Sequence, residues 1–215
     1  MNKLFRRILD LLYPPKCVFC GKILRKDEEN VCLSCRTKLP VCTDKLQAGP
    51  YLDEAAAVFS YEGLVRDSLL RYKFGGREQY AVCYGEWLAA AVSARLPSVD
   101  AVTWVPVSRK RKRKRGYDQA MLLARETARR LGKPLVPTLR KTRDNPAQSG
   151  IHDASERRVN VLGAYECIAD RAVLEKRLLL VDDIFTTGAT LGEAARTLRV
   201  SGAALVCGAV LAVRK

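Results

Sequence analysis

The sequence predicts an α/β fold, a twisted and mostly parallel sheet with flanking helices, plus a small N-terminal zinc-binding module. Three features indicate this: a buried strand that leads through a polar loop into a helix, an earlier strand followed by a helix, and two cysteine pairs near the start. Strands buried on both faces of a parallel sheet read as continuous apolar runs. With 215 residues, 48% of them hydrophobic, the chain can form one good-sized domain and a small one.

The central feature is a strand, a loop and a helix close to the C-terminus. Leu178–Val181 predicts a short buried strand, and two adjacent carboxylates follow it. Residues 191–199 predict a helix with its apolar side chains on one face, and Thr190 is its predicted N-cap because Glu193 lies at capping-box spacing. A helix N-terminus offers unpaired N–H groups and the positive end of a dipole, so this layout is typical of a phosphate site.

The loop and the carboxylates suit two parts of one ligand. Gly188 lets the backbone approach a phosphate closely, and threonine hydroxyls add donors. Asp182 and Asp183 would repel that phosphate, so we expect them to face hydroxyl groups or a metal ion. A ribose 5-phosphate carries both groups, whereas the alternative is a plain strand, turn and capped helix with solvated aspartates. The predicted ligand-binding residues are Asp182, Asp183, Thr186, Thr187, Gly188, Ala189 and Thr190.

Composition narrows the chemistry and the compartment. The formal net charge of +15 implies polyanionic partners such as nucleotides, nucleic acid or acidic lipid. The single histidine, His152, argues against a histidine-based metal site or a Ser-His-Asp triad, and we expect it to be exposed. No run approaches a membrane span, and the first 13 residues predict an amphipathic helix instead of a signal peptide. We therefore expect a cytoplasmic protein, which partners could bring to the inner face of the membrane.

The N-terminal cysteines form two CxxC pairs, eleven residues apart. Two such pairs complete a tetrahedral thiolate shell, and zinc could supply folding free energy on the order of 10 kcal/mol. Disulfides and a redox motif are the alternatives, which the missing secretory signal and the second pair disfavour. The predicted ligands of one structural Zn²⁺ are Cys17, Cys20, Cys32 and Cys35. Cys83 and Cys207 lie in apolar runs and are predicted core residues, while Cys42 lacks a partner at metal spacing.

A domain boundary is predicted near Gly49-Pro50, so that residues 1–48 hold the N-terminal helix and zinc finger and residues 49–215 the larger domain. Two helices are predicted next, over 64–74 and roughly 78–96. The basic side chains of the first helix form either an ordinary solvated face or, at Lys73, a ligand contact.

Seven consecutive basic residues, 109–115, follow a predicted strand over 102–107. We expect a loop there, at the carboxyl end of a parallel sheet where such folds bind ligands, followed by a helix with Asp118 as N-cap. The run could face pyrophosphate, contact single-stranded DNA together with an exposed Tyr117, or be a solvated charge run. The candidate contacts for pyrophosphate or DNA are Lys73, Arg109, Arg111, Arg113 and Arg115.

Residues 139–161 are polar and lack sustained periodicity, which predicts a long loop. Such a loop inside a domain is usually functional, and this one could close over the ligand as a lid. No catalytic residue is certain, and the lid candidates are Arg143, Gln148 and Arg157.

Together these motifs resemble the ComF family of competence proteins, also called amidophosphoribosyltransferase-like proteins. Seven stretches carry this resemblance. In chain order they match the family's zinc finger, its YxGxxR and KFxG blocks, its VPVP and RGFNQA blocks, its RxR…Q…R..NV block and its loop for 5-phosphoribosyl 1-pyrophosphate (PRPP). These stretches are residues 17–35, 61–66, 73–76, 105–108, 115–120, 139–161 and 182–190. Ser108 stands for the last proline of VPVP, and Tyr117-Asp118 stands for Phe-Asn; neither substitution threatens the resemblance.

The resemblance implies a type I phosphoribosyltransferase fold behind a zinc finger, binding of PRPP with Mg²⁺, and a role in DNA uptake during natural transformation. It implies no acceptor. Two hypotheses remain. The chain could be a Mg²⁺-dependent phosphoribosyltransferase, or a non-catalytic accessory that binds single-stranded DNA and keeps PRPP as a ligand. The expected partners are PRPP, single-stranded DNA and competence machinery such as an uptake helicase.

Overall fold

The computed structural model describes residues 14–43, 46, 49–143 and 161–214. The strands of this part of the chain are β1 (Glu54–Ser60), β2 (Ala101–Trp104), β3 (Leu139–Lys141), β4 (Tyr165–Cys167), β5 (Arg177–Phe185) and β6 (Leu205–Val213). Its helices are α1 (Leu33–Arg36), α2 (Gly63–Phe74), α3 (Tyr80–Arg95), α4 (Arg109–Arg115), α5 (Gln119–Leu131), α6 (Asp170–Val173) and α7 (Ala189–Val200). Four parallel strands form the main sheet in the order β1-β6-β5-β2, while β3 and β4 pair antiparallel.

The sheet is covered on both faces, as the apolar runs predict. Successive side chains of a strand point to opposite faces. In β5, Leu179 and Val181 face α2, α3 and α5, whereas Leu178 and Leu180 face α7 and the β3–β4 pair. The predicted α/β class with a mostly parallel sheet is confirmed.

The cysteine segment packs into the first of these two cores. Phe19, between the first two cysteines, stacks on Trp87 of α3 with ring centroids 5.4 Å apart, and it meets Phe59 of β1 edge to face at 5.8 Å. Only 1% of Phe19 is exposed. Aromatic side chains bury large areas and such contacts favour one geometry, so this ring fixes the segment against the larger domain.

Strand β5 is longer than predicted, because its ladder with β6 runs on past Val181. Asp182 pairs with Val210, and Phe185 pairs with Val213. Ladder hydrogen bonds involve only the backbone, so polar side chains do not end a strand whose neighbour continues. The two carboxylates therefore lie within the second half of the strand instead of in the loop behind it.

The prediction of a loop over residues 109–115 is wrong, because these residues form helix α4. The Ser108 hydroxyl caps its start by accepting a hydrogen bond from the Arg111 N–H at 3.3 Å, and Gly116 ends it with φ 86°. The predicted N-cap of α5 is confirmed, because the Asp118 carboxylate accepts the Met121 N–H at 3.1 Å.

Two further predictions need correction, and three others concern residues that the structure does not describe. Tyr117 is buried and not exposed, with its hydroxyl donating to the Tyr72 carbonyl. The predicted loop over 139–161 begins with strand β3, since residues 139–141 find a partner in β4. The predicted N-terminal helix, the lid candidates Gln148 and Arg157, and His152 lie outside the described residues.

Candidate metal centre and ligand site

Four thiols converge in the N-terminal segment, and they are the four that the spacing predicts. The Sγ atoms of Cys17, Cys20, Cys32 and Cys35 all lie within 4.8 Å of one another, and those of Cys20 and Cys32 are 3.7 Å apart. Zinc–sulfur bonds of about 2.3 Å in a tetrahedron place neighbouring sulfurs about 3.8 Å apart. The donor set and spacing therefore fit one Zn²⁺ with four protein ligands, which is the arrangement of a structural site.

Backbone N–H groups favour the negatively charged form of one thiol in this cluster. The Cys32 N–H points at Cys17 Sγ, 3.4 Å away. Burial opposes ionisation of Cys17, but hydrogen bonds from the backbone of Cys20, Cys32 and Phe19 outweigh it and lower the pKa of this thiol to about 7. Burial raises the pKa of Cys35 instead. The thiols thus differ in how readily they ionise, and a bound cation would favour the thiolate in all of them.

A carboxylate pair and a lysine meet at the end of β5. The Asp183 N–H donates to Asp182 Oδ1 at 2.8 Å, and Lys73 Nζ, from the last turn of α2, lies 2.9 Å from Asp183 Oδ1. The side chains of Lys73 and Asp183 are only 16% and 13% exposed. Burial, and then the charge of Asp183, raises the pKa of Asp182 to about 8. One of the two acids is therefore paired with a cation, whereas burial favours the protonated form of the other.

The loop after the carboxylates turns into α7 at Gly188, which has φ +74° and is the N-cap. The prediction of Thr190 as N-cap is therefore wrong, and helix α7 begins at Ala189. The Thr187 hydroxyl accepts the Ala189 N–H at 3.4 Å. A Cβ on Gly188 would lie 2.6 Å from the Phe185 ring. A larger residue here would therefore clash within the protein, in addition to blocking the approach of a phosphate to the backbone.

Glu193 does not form the predicted capping box, because its carboxylate turns away from the helix start. It accepts hydrogen bonds from Arg196 and from the Gly163 N–H, each at 2.8 Å. Burial opposes its ionisation, but these partners outweigh burial and lower the pKa of Glu193. The residue thus ties the chain just before β4 to α7, beside the loop.

A cationic cleft of about 440 Å³ opens between α4 and the β3–β4 pair. Its lining residues are Ser108, Arg109, Lys110, Arg113, Arg140, Lys141, Thr142, Arg143 and Glu166. Of these, Arg140 forms an ion pair with Glu166, and Lys141 lies over the Tyr165 ring, 5.3 Å from its centroid. Tyr165 belongs to the same apolar cluster as Leu180 and Phe185 of β5. The cleft therefore lies on the face of the sheet that carries α7, next to the strand that bears the carboxylates.

The structure separates the residues predicted to contact pyrophosphate or DNA. Arg109 and Arg113 line the cleft, while Lys73 is held by Asp183. Arg115 packs over the Phe74 ring, 4.9 Å from its centroid, and donates to Gln119 Oε1 at 2.8 Å. Arg111 is half-buried and does not line the cleft.

Arg143, a lid candidate, lines the cleft, whereas its neighbours Lys110, Arg140 and Lys141 were not predicted as site residues. The cluster of cations in residues 140–143 was a visible signal for them.

None of the helices in the described part of the chain has the length and apolar character that crossing a bilayer requires.

Family models match the two parts of the chain separately. A phosphoribosyl transferase domain matches residues 118–215, and a double zinc ribbon domain matches residues 8–46. Together with the sheet topology and the cysteine cluster, these matches define the class: a phosphoribosyltransferase-type α/β domain with an N-terminal zinc ribbon. They also support structural zinc at the four cysteines.

Relatives from three bacteria match most of the chain. Competence protein ComFC of Bacillus subtilis is 27% identical over 95% of this chain and 92% of its own length. Competence protein F of Haemophilus influenzae is 27% identical over 87% and 80%, and DNA utilization protein YhgH of Salmonella typhi is 28% identical over 88% and 86%. The resemblance to the ComF family is thereby confirmed.

A solved structure described as glutamine phosphoribosylpyrophosphate (PRPP) amidotransferase from B. subtilis aligns with a TM-score of 0.46 and 20% identity, covering 66% of this chain and 30% of that one.

Proposed function

We propose that this chain binds PRPP with Mg²⁺ at the end of β5 and acts in DNA uptake, the process to which the names of its relatives point. The observation that carries the proposal is the succession of two carboxylates, a positive-φ glycine and a helix start within residues 182–190. N–H groups at a helix start favour phosphate, whereas carboxylates accept hydrogen bonds from hydroxyl groups. A ribose 5-phosphate presents these two groups in the matching order.

In this proposal, different residues bind different groups of PRPP. The loop over 186–190 holds the 5-phosphate, and Asp182 and Asp183 accept the ribose hydroxyls. Lys73 and the cations of the adjoining cleft face the pyrophosphate. Mg²⁺, when bound with PRPP, would neutralise pyrophosphate charge and so make it a better leaving group.

As an enzyme, the protein would hold C1 of the ribose for attack by a nucleophile of the acceptor. The bond from C1 to the acceptor forms as the bond to pyrophosphate breaks, and the pyrophosphate leaves with the bonding electron pair. Positioning and fixed charges would supply the catalysis, with no covalent intermediate on the protein. Lys73 pairs with only one carboxylate oxygen of Asp183, so the other oxygen can accept a ribose hydroxyl while the lysine stays beside the pyrophosphate.

Calorimetry with PRPP and Mg²⁺ tests the binding site. Replacing Asp183 with asparagine should weaken PRPP binding by roughly 1–3 kcal/mol, because a charged acceptor makes the stronger hydrogen bond. Asp170→Asn, at the exposed start of α6, is the control for a lost charge. Equal affinity in both variants would contradict the assignment of the carboxylates. Pyrophosphate release with candidate bases and amines then decides whether the protein is an enzyme.

The cationic cleft favours single-stranded DNA as a second ligand. Arg109 and Arg113 lie one helical turn apart and line it together. Phe74, which is 66% exposed beside α4, replaces the buried Tyr117 as the aromatic ring that bases could stack on. Cations that contact a single strand release counterions, and each phosphate contacted steepens the salt dependence by about 0.7.

A matched pair of double variants tests this contact. Arg109 and Arg113 replaced together with glutamine should lower the slope of log affinity against log salt by about 1.4. Arg125 and Arg129 offer the control, because they are also exposed arginines one turn apart on a helix, yet they lie beside Glu126 and away from the cleft. An equal loss in both double variants would show that only net charge matters. An unchanged slope in the first would exclude the cleft as the contact.

A further inference from the structure

Helix α2 touches the cysteine cluster on one side and the carboxylate pair at its end. Ser68 and Arg71 hydrogen-bond to the backbone between the first two cysteines: the Ser68 hydroxyl donates to the Val18 carbonyl, and Arg71 donates to the carbonyls of Val18 and Phe19. Arg71 lies in the last turn of α2 together with Lys73, and Ser68 lies five residues before Lys73. The contacts with the metal centre and with the ligand site therefore lie within about one and a half turns of the same helix.

The Arg71 guanidinium depends strongly on those two carbonyls. Its Nε atom is buried without a hydrogen-bond partner among the described residues, and its NH2 group is the donor to Val18 and Phe19. A buried cation is costly unless its hydrogen bonds are made. The carbonyls belong to the turn between Cys17 and Cys20, whose shape a bound ion would hold. Movement of that turn would leave Arg71 without these acceptors and would release α2 from the segment.

The last turn of α2 also fixes the ligand site. Lys73 pairs with Asp183 at 2.9 Å, and the Tyr72 hydroxyl donates to the Gln119 carbonyl at 2.9 Å. Tyr117 donates in turn to the Tyr72 carbonyl. The turn therefore has partners in β5 and in the chain leading into α5, and a shift of the helix would displace Lys73 from Asp183.

We propose that Arg71 is a positioning residue that couples metal occupancy of the cysteine cluster to ligand binding at Asp183. The inference rests on the proposed PRPP site for its ligand, although the coupling itself runs through contacts within the protein. Coupling between two sites is reciprocal, so ligand should slow loss of the metal as much as the metal strengthens binding of the ligand. A merely structural Arg71 would instead change stability and leave the affinity of the folded protein unaltered.

Arg95 supplies a matched control for the variant Arg71→Met. Like Arg71, it donates from a helix to two backbone carbonyls, those of Cys42 and Ala57, each at 2.8 Å. It lies at the end of α3, and neither acceptor belongs to the cysteine turn or to the ligand site. Both variants should lower the melting temperature, and both are compared as zinc-loaded protein well below that temperature.

The first readout is calorimetric affinity for PRPP with Mg²⁺. Arg71→Met should weaken it about tenfold, while Arg95→Met should change it less than twofold. The second readout is transfer of zinc to a coloured chelator. PRPP should slow this transfer several-fold in the wild type and in Arg95→Met, but not in Arg71→Met. Once binding of PRPP to the wild type is measured, equal affinity in the two variants, or zinc transfer unaffected by PRPP in the wild type, would overturn the coupling.

A third measurement needs no PRPP, so it separates failure of the coupling from failure of the proposed function. Lys73→Met removes the ion pair with Asp183 and should speed zinc transfer several-fold. Arg130→Met, which removes the ion pair with Glu86 between α3 and α5, should leave the rate unchanged. If the wild type binds no PRPP but Lys73→Met speeds transfer, the ligand assignment falls and the coupling stands. Identical rates in Lys73→Met and the wild type would overturn the coupling.

Discussion

The cysteine cluster and the carboxylate site hold charge in opposite ways. In the cluster, four thiols face one another and N–H groups favour ionisation of Cys17, so the site is closed around a single position. At the end of β5, a lysine of the protein pairs with Asp183, and burial raises the pKa of Asp182. The cluster is built for an ion that stays. The cation at the carboxylate pair is instead a side chain of the protein, so this site needs no bound ion to balance Asp183.

The largest expected effect comes from breaking the cluster. Phe19 is stacked in the core of the larger domain, so losing the metal should unfold far more than residues 14–43. Structural zinc contributes on the order of 10 kcal/mol, which is comparable with the whole stability of a domain. Cys17→Ser should therefore abolish the cooperative thermal transition measured by circular dichroism. Cys167→Ser, in β4 and outside the cluster, is the control. A sharp and unshifted transition in Cys17→Ser would contradict the role of the cluster in the core.

The next effect concerns Gly188, in the loop that follows the carboxylate pair. Gly188→Ala should cost about 1–2 kcal/mol for the positive φ, and more for the contact of the new Cβ with Phe185. Gly192→Ala, in the same helix with open space around it, should be stabilising by about 0.5–1 kcal/mol. Urea unfolding of both variants measures the difference. Equal stabilities would show that the loop relaxes at no cost.

The last expected effect is a pH dependence of stability that comes from the carboxylate pair. Asp182 has its pKa raised to about 8 in the fold, above the value of about 3.9 for an unfolded chain. The folded state therefore binds the extra proton between these values, and this contribution to the free energy of unfolding declines as pH rises from about 4 to 8.

Urea midpoints at pH 5 and pH 8.5 measure this contribution. The decline should be smaller in Asp182→Asn than in the wild type, and unchanged in Asp170→Asn. A wild-type decline that persists in full in Asp182→Asn would assign it to other groups.

The parts of the fold that the sequence predicted well are those set by local pattern. The apolar run of β5 and the one-sided pattern of α7 need only periodicity, and Leu191, Ala194, Ala195 and Leu198 are all buried as that pattern requires. The cysteine cluster follows from spacing alone, since each CxxC turn has little conformational choice.

The missed features depend on partners distant in sequence. The cationic cleft joins α4 to residues 140–143, and no local pattern shows that these two segments meet. Tyr117, which follows seven cations, was predicted to be exposed, yet its side chain is buried and its hydroxyl donates to the carbonyl of Tyr72. The extension of β5 depends on β6, which follows it in the chain. Helix α4 is different, because Ser108 and Gly116 are residue types that favour helix ends, and the loop prediction did not use this local signal.

Helix α4 has a consequence for how the molecule responds to its ionic surroundings. Its seven residues are all cations, so side chains three and four apart repel one another along the whole helix. Dissolved ions weaken that repulsion, and they equally weaken attraction to a polyanion. For the proposed contact with single-stranded DNA, salt should therefore stabilise this helix while it weakens binding of the strand. At low salt the helix alone is least stable, and under the same proposal the phosphates of a bound strand would offset the repulsion between its side chains.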